Sequence, residues 1–255
     1  MASRILSIAS NSVREIVRQR LFSNVIVFGV GLLMLAVVVS NITYGYPDRV
    51  VRSIGLGGVA IATNLMSLLV GVSIVHREIE QKTLLVVLTR PVERWEYVVG
   101  RYLGLVSTLA LVVFGFSVIF CLVLLYVNGT PSVQDGVALG MSFVEACVLG
   151  AFAVVLSSFS TPSLSAGIGL GFWIACASAD DLVNLTEKAD PGVKMLSKAI
   201  ATILPNFARF NFREAAVYAD PLPWGTVAWA GVYGILYAIA FVSLASGILS
   251  RREMT

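Results

Sequence analysis

The side chains best suited to binding chemistry are concentrated in one charged, amphipathic segment, residues 75–104. This segment carries five of the eighteen basic residues of the chain: Arg77, Lys82, Arg90, Arg94 and Arg101. It lies between two long apolar runs, and basic loops between membrane spans stay on the cytoplasmic side. A structured, charged loop in that place favours docking of a separate cytoplasmic protein.

The sequence lacks the patterns that catalysis or nucleotide binding would need. The P-loop pattern G-x-x-x-x-G-K-[ST] does not occur, so the phosphate cradle of a P-loop NTPase is missing. His76 is the one histidine, and it has no neighbouring Cys or Asp cluster that would make a metal site. No Ser/His/Asp set can be assembled either. We therefore predict that the chain is not an enzyme and holds no metal or cofactor of its own.

The composition is that of a polytopic membrane protein. Hydrophobic residues make up 57% of the 255 residues and charged residues only 13%, whereas soluble domains average about 25% charged. The net charge of +3 is small, and no basic cluster interleaved with aromatics points to nucleic acid. Cys121, Cys147 and Cys176 all fall in apolar runs, which favours small buried hydrophobes over a disulfide framework.

Six apolar segments are long enough to predict transmembrane helices, since a span needs about 20 apolar residues. They cover about 21–41, 54–75, 102–127, 136–158, 163–179 and 223–249. The fifth is the shortest and holds three glycines, which favours a kinked or re-entrant segment. The first run is longer than a signal-peptide core of about 7–15 residues. The predicted fold is an all-α membrane protein with one transmembrane domain, residues 1–255.

The distribution of basic residues predicts the orientation. Basic residues precede the first span, fill the 76–101 segment and follow the sixth span, while residues 127–135 have none. By the positive-inside rule both termini are cytoplasmic, in a multi-pass protein of a bacterial or archaeal plasma (inner) membrane. Arg49 and Arg52, on the predicted outer side, count against this assignment.

Two further segments are predicted to be amphipathic. Residues 4–20 combine apolar positions at helical spacing with a basic face, which favours a helix in the membrane interface. The alternative is a cytoplasmic helix packed on a partner. Residues 180–222 form a predicted extracytoplasmic loop with an amphipathic helix at about 185–203, which Pro205 ends. This loop is either a lid over the outer mouth or a spacer on the bilayer surface.

The charged segment has the pattern E-x-E-x-x-T-L-x-x-x-L-x-x-P-x-x-R-x-x-x-x-x-G-[KR] between Glu78 and Arg101. A break at Thr89-Arg90-Pro91 separates a short helix from a second helix that leads into span three. This pattern resembles the ABC-2 type permeases, the transmembrane subunits of ABC exporters. Lys82 departs from that family, which commonly has Gly before Thr-Leu.

The resemblance implies a coupling helix that sits in a cleft of a separate ATP-binding subunit, which holds ATP and Mg. The docking residues it implies are Glu78, Glu80, Thr83, Leu84, Leu88, Pro91 and Arg94. Residues 157–167 are similar to the turn between spans four and five of the family. Residues 204–214 resemble the external segment of its NosY-like group. The implied partners are a second copy or a related permease, an extracytoplasmic accessory protein and membrane lipid.

Glu145 is the ionisable residue that lies well inside a predicted span, at the middle of the fourth. A charge at that depth costs about 2.5–3.5 kcal/mol on insertion scales and usually faces protein or water. One interpretation is a polar point on a translocation path or a dimer seam. The other is a protonated carboxyl that is hydrogen-bonded to a neighbouring helix. Asn64 of span two is a candidate partner.

The function favoured by the sequence is that of a permease subunit in an ATP-driven ABC-2 type exporter. One alternative is a secondary transporter or channel without an ATPase, although ion coupling would need several intramembrane charges. The other alternative is a scaffold that anchors a cytoplasmic complex in the membrane. The sequence leaves the substrate open.

Overall fold

The computed structural model describes residues 2–43, 45–80, 94–180 and 204–251, which form helices with short connections. The helices of these ranges are α1 Ala2–Val17, α2 Arg20–Ile42, α3 Pro47–Glu80, α4 Arg94–Tyr126, α5 Val133–Ser157, α6 Pro162–Ala177, α7 Arg213–Tyr218 and α8 Trp224–Arg251. A 3-10 turn at Phe207–Phe210 precedes α7. No β-strand occurs within the described ranges.

Five of these helices, α2, α3, α4, α5 and α8, are long and apolar enough to cross a membrane. They correspond to predicted spans one to four and six. The fifth predicted span is α6, which has only 16 residues. At 1.5 Å per residue it is about 24 Å long, less than the hydrocarbon thickness of about 30 Å. The structure thus gives five full-length spans and one short apolar helix.

The bounds of α3 differ from the sequence prediction at both ends. The helix begins at Pro47, seven residues before the predicted start, and it places Arg49 and Arg52 in its first turns. Proline suits the first turn of a helix, and Asp48 there interacts favourably with the helix dipole. At the other end α3 continues past its apolar stretch, which ends at Ile74, as far as Glu80. Glu78 and Glu80 therefore extend the second span and do not start a separate helix.

Helices α3 and α5 form the centre of the bundle. In their apolar stretches, 72% and 67% of the residues are buried, against 28% in α2 and in α8. Small residues four apart face each other at this crossing: Ser67 and Gly71 on α3 meet Ala146 and Gly150 on α5. The Ser67 hydroxyl donates a hydrogen bond to the Ala146 carbonyl. Small residues allow such close packing, which drives helix association in membranes.

A buried ion-pair network closes the end of the bundle where α3 and α5 begin, here called the far end. Arg52 Nε donates to both carboxylate oxygens of Asp135, at 3.2 and 3.4 Å, and its Nη2 donates to the Thr130 carbonyl at 2.8 Å. Its Nη1 lies 3.0 Å from Asp48. Asp135 also forms a capping box with Ser132 at the start of α5. This network pairs the charge of an arginine on the side that the charge distribution predicts to be the outer one.

We expect Asp135→Ala to destabilise the protein by about 3 kcal/mol or more, because Arg52 would lose its buried partner and keep only the partly exposed Asp48. The cap of α5 would be lost as well. Asp48→Ala removes the other carboxylate from the same arginine, but that side chain is 36% exposed. Its expected cost is about 0.5 kcal/mol. Thermal unfolding of the purified variants in detergent measures the difference, and equal melting temperatures would contradict the assignment.

Helix α1 packs at the opposite end, here called the α1 end, against the start of α4. Arg101 Nη1 lies 2.6 Å from Glu15 Oε2 and donates to Ser12 Oγ at 3.2 Å. Ser12 is therefore buried against protein. Leu6 and Val17 remain exposed beside exposed Arg14 and Arg18, so α1 also keeps an amphipathic outer face. Such a face suits the membrane interface.

The crossing of α1 and α4 depends on Gly104. A Cβ at this position would meet Ser12 Cβ at 2.5 Å and the Ala9 carbonyl oxygen at 3.0 Å, whereas one at Gly115 of the same helix would meet nothing within 4 Å. We therefore expect Gly104→Leu to displace α1 and expose its bonds near Glu15 to protease. Gly115→Leu is the matched control and should leave the digestion pattern unchanged. Identical digestion of the two variants would show that α1 does not need this close approach.

Candidate functional site

The charged segment connects α3 to α4 at the α1 end of the bundle. Glu78 and Glu80 belong to the last turn of α3, and Arg94 is the first residue of α4. The other docking residues implied by the resemblance, Thr83, Leu84, Leu88 and Pro91, lie outside the described residues. The predicted coupling helix itself is therefore not described, but the two helices that carry it are.

Both carrier helices are long and unbroken. Helix α3 has 34 residues and α4 has 33, which corresponds to about 50 Å each. Arg101, the last residue of the sequence pattern, turns inward and binds Glu15 and Ser12 of α1. The start of α4 and the amphipathic helix α1 are thus tied together, so a displacement of either helix would act on the other.

The second predicted site lies in the middle of the bundle, around Glu145 of α5. Its carboxylate oxygen Oε1 accepts two hydrogen bonds, from Asn64 Nδ2 of α3 at 2.9 Å and from Trp173 Nε1 of α6 at 3.1 Å. Glu145 is 7% exposed and Asn64 is 1% exposed. The geometry places Glu145 between three helices of one chain and not against lipid.

Trp173 was missed by the sequence reasoning, although the sequence contains a signal for it. An indole N–H inside an apolar segment has no water to bind, so it must find an acceptor on another helix. The Asn64 carbonyl oxygen Oδ1 is buried and makes no hydrogen bond to any residue that the structure describes. The cluster therefore retains one acceptor that a donor, such as a protonated carboxyl or an amide, can satisfy.

The Glu145 cluster joins the short helix α6 to the centre of the bundle. Next to Trp173, the ring of Phe172 stacks on Phe152 of α5 with centroids 3.7 Å apart. On the same side of α6, Gly169 packs closely on Leu68 of α3. The Glu145 side chain therefore links α3, α5 and α6, and its removal would weaken the packing of all three helices.

Part of residues 204–212, which belong to the predicted outer loop, packs into the bundle. Phe207 and Phe210 are buried, and the backbone N–H of Asn206 donates to the Tyr233 hydroxyl at 2.9 Å. Tyr233 lies nine residues into α8, about 14 Å from its start. Asn206 Nδ2 also donates to Asp180 at 2.5 Å. The buried aromatic side chains therefore anchor this part of the chain in the bundle. The predicted helix at 185–203 lies outside the described residues.

Within the described ranges, no three His, Cys, Asp or Glu side chains are grouped as metal ligands would be. The polar groups of the site are instead hydrogen-bonded across helices in the membrane. Such an arrangement can hold helices in register or contact a passing solute.

Comparison with known proteins agrees with this geometry. Residues 6–185 match the model of the family described as ABC-2 family transporter protein. The chain belongs to the ABC-2 transporter family. The match contains the whole segment 76–101 and the helices that hold Glu145, Asn64 and Trp173.

Two curated proteins are similar in sequence to this ABC-2 transporter chain. The "Probable ABC transporter permease protein NosY" of Pseudomonas aeruginosa is 30% identical over 215 residues, which cover 74% of this chain and 76% of the relative. The "Probable ABC transporter permease protein NosY" of Stutzerimonas stutzeri is 33% identical over 127 residues, 48% of this chain and 46% of the relative. The chain is therefore a multi-pass membrane subunit of an ABC transporter, of the permease type.

Proposed function

We propose that this permease is driven by a separate ATP-binding subunit and exports its substrate. The observation that carries the proposal is the ABC-2 family match over residues 6–185, which includes the charged segment between α3 and α4. Two permease chains, identical or related, pair in the membrane. Two ATP-binding subunits, which hold ATP and Mg, dock on the segments 76–101.

Docking uses Glu78, Glu80, Thr83, Leu84, Leu88, Pro91 and Arg94. ATP binding closes the pair of ATP-binding subunits and pushes on these segments. The push reaches the membrane through α3 and α4, each of which is continuous from the segment into the bundle. Through Arg101 and Glu15 it also reaches α1. The spans then repack and release the substrate on the far side.

The bundle is oriented with the α1 end in the cytoplasm, and α6 completes six crossings. Support comes from the basic residues before α2, in the segment 76–101 and at the end of α8. Arg52 on the outer side counts against this orientation. Its charge is paired with Asp135 and Asp48, however, so it carries less weight in the count of basic residues. The membrane is the plasma (inner) membrane of a bacterium or archaeon. The loop of residues 180–222 belongs to the outer side, where an accessory protein is a partner.

Cysteine labelling tests this orientation. In a background without Cys121, Cys147 and Cys176, Ser197→Cys should react with an impermeant maleimide in intact cells. Thr255→Cys should react only after the cells are opened, because the C-terminus is cytoplasmic. The opposite pattern, with Thr255→Cys labelled and Ser197→Cys protected in intact cells, would reverse the orientation.

The Glu145 cluster borders the translocation path and holds α6 in place during the cycle. This proposal rests on the free-energy cost of placing a carboxyl at mid-membrane depth. Ionisable residues at that depth usually contact a solute or stabilise a functional helix contact. Its hydrogen bonds to Asn64 and Trp173 support the second role directly. The dimer seam remains the alternative location.

Purification of the tagged chain from native membranes tests the proposed function against its alternatives. Co-isolation of a P-loop ATPase whose hydrolysis rate depends on the chain supports the permease. A chain that isolates alone and conducts or exchanges ions in liposomes would be a secondary transporter or channel. A chain that brings down a cytoplasmic complex without any ATPase would be a scaffold.

A further inference from the structure

A basic surface lies at the junction of α1 and α2, turned away from the bundle. It consists of Arg14, Arg18 and Arg20, all of which are exposed, and it is called here the α1 basic surface. No carboxylate within the described ranges forms an ion pair with any of the three. Glu15, the acidic residue of α1, pairs instead with Arg101 of α4. The surface therefore carries three positive charges that the described part of the chain does not neutralise.

An apolar edge runs along α1 beside the basic surface. Leu6 is 67% exposed and Val17 is 45% exposed. The two residues are about three helical turns apart, so they share one side of the helix. Ser12 and Ile16 lie on a different side, where they are buried against the bundle. Helix α1 thus presents one side to protein and leaves an apolar edge and a basic surface next to each other for another molecule.

The neighbouring spans set the depth of the α1 basic surface in the membrane. Arg20 is the first residue of α2, whose apolar stretch begins there. Next to it, Gln19 Oε1 accepts a hydrogen bond from Ser73 Oγ at 3.5 Å, and the apolar stretch of α3 ends at Ile74. Trp95 is 41% exposed at the start of the apolar stretch of α4, and tryptophan is typical of the membrane–water interface. All three spans therefore place the basic surface where hydrocarbon meets the lipid head groups.

Charge and depth together select the molecule that binds this surface. Guanidinium groups bind phosphate oxygens through paired N–H donors. A zwitterionic head group brings its own cation and leaves the positive charge of the surface unbalanced, whereas an anionic head group neutralises it. A free phosphate ion or an acidic protein would satisfy the arginines but would not cover Leu6 and Val17. A phospholipid does both, because its phosphate meets the arginines while its acyl chains contact the apolar edge.

We propose that the α1 basic surface binds the head group of an anionic phospholipid from the leaflet at the α1 end, with the acyl chains against Leu6 and Val17. The bound lipid holds α1 at the membrane surface, in the position where Glu15 and Ser12 contact Arg101. The proposal depends on the insertion of the chain in a membrane and not on ATP coupling or export, so either can fail without the other.

Photolabelling with two lipid probes tests the proposal on the full chain. The protein is reconstituted in vesicles of phosphatidylcholine with a minority of phosphatidylglycerol. A diazirine near the carboxyl end of one acyl chain is carried by phosphatidylglycerol in one preparation and by phosphatidylcholine in the other. The measured quantity is the ratio of the two labelling yields in the α1 peptides. The far end of α4, with exposed Leu125 and Tyr126, supplies the reference ratio for lipid that only surrounds the protein.

Three double variants separate the charge of the α1 basic surface from other effects. Arg14→Gln/Arg18→Gln removes two charges at exposed positions, so the packing of the bundle should be kept. Arg49→Gln/Arg209→Gln is the matched control, because it removes two exposed arginines outside α1 and α2. Arg14→Lys/Arg18→Lys changes the side chains but keeps their charges.

We expect the phosphatidylglycerol-to-phosphatidylcholine ratio at α1 to exceed the reference ratio in the wild type, in the matched control and in the lysine variant. It should fall at least about fivefold in Arg14→Gln/Arg18→Gln, since one basic side chain near an anionic membrane surface is worth about that factor. A wild-type ratio at α1 equal to the reference would overturn the proposal, because α1 would then contact lipid without selecting its charge. So would an Arg14→Gln/Arg18→Gln variant that keeps its ratio but loses a co-isolated ATP-binding subunit, because a protein would then occupy the basic surface.

Discussion

The double variant Glu80→Lys/Leu84→Asp should abolish ATP-driven transport while the protein still inserts in the membrane. Glu80 lies in the last turn of α3, where a charge reversal changes the electrostatic contact with a docked partner. Leu84 belongs to the apolar face implied by the Thr-Leu motif. A buried carboxylate without a partner strongly disfavours an interface. We expect the ATP-binding subunit to dissociate, or its hydrolysis to become independent of the chain.

A control for this prediction uses positions of the same segment outside the family pattern. Gln81→Lys/Val86→Asp introduces the same two charges next to the pattern residues. This variant should keep the ATP-binding subunit and most of its coupled activity. The measurements are co-purification and ATPase rate with each permease variant. If Glu80→Lys/Leu84→Asp retains a fully active subunit, the docking assignment to Glu78–Arg94 is wrong.

The second large effect is expected from Glu145→Leu, which should lower both transport and thermal stability. The variant leaves Trp173 Nε1 and Asn64 Nδ2 without their acceptor in the membrane interior. Hydrogen bonds between spans contribute about 0.6 kcal/mol on average and up to about 1.7 each, so the loss is about 1–3 kcal/mol. Transport should fall further, because α6 loses its polar link to α3 and α5.

Glu145→Gln is the matched control, since its amide oxygen can still accept from both donors. It should assemble and unfold like the wild type. Trp173→Phe removes one of the two bonds and should cost about half as much as Glu145→Leu. The thermal unfolding of single and combined variants tests this, because Trp173→Phe should add little in the Glu145→Leu background. A Leu variant with unchanged transport and unchanged stability would end this account of the cluster.

The long spans were predictable because hydropathy and length are local properties of the sequence. The start of α3 was not, because its arginines make it look like a loop. Arg52 is accommodated in the helix by Asp135, which is 83 residues away in the chain. The inward course of residues 204–212 has the same origin: Asn206 binds Tyr233, on a helix that begins only at Trp224. Contacts of this kind require the fold.

The functional site could be predicted only in part, because some of its features are local in the sequence and others depend on which helices touch. A charged loop between two spans and a lone mid-span glutamate are visible in the sequence, and Asn64 stood out as a polar group at a similar depth. The sequence did not reveal Trp173 as the link to α6, because the pairing requires knowing which helices touch. Nor did it reveal that Arg101 binds Glu15, since this pair joins α4 to α1 and depends on how the two helices pack.

The measurement that tests the central claim most directly is the ATP hydrolysis rate of the co-isolated ATP-binding subunit in liposomes with and without this chain. The permease account predicts that reconstitution with the wild-type chain changes the rate and makes it sensitive to the segment 76–101. The Glu80→Lys/Leu84→Asp variant should then behave like liposomes without the permease. A hydrolysis rate that is identical with wild-type chain, variant chain and no chain would contradict the claim that this protein couples ATP hydrolysis to transport.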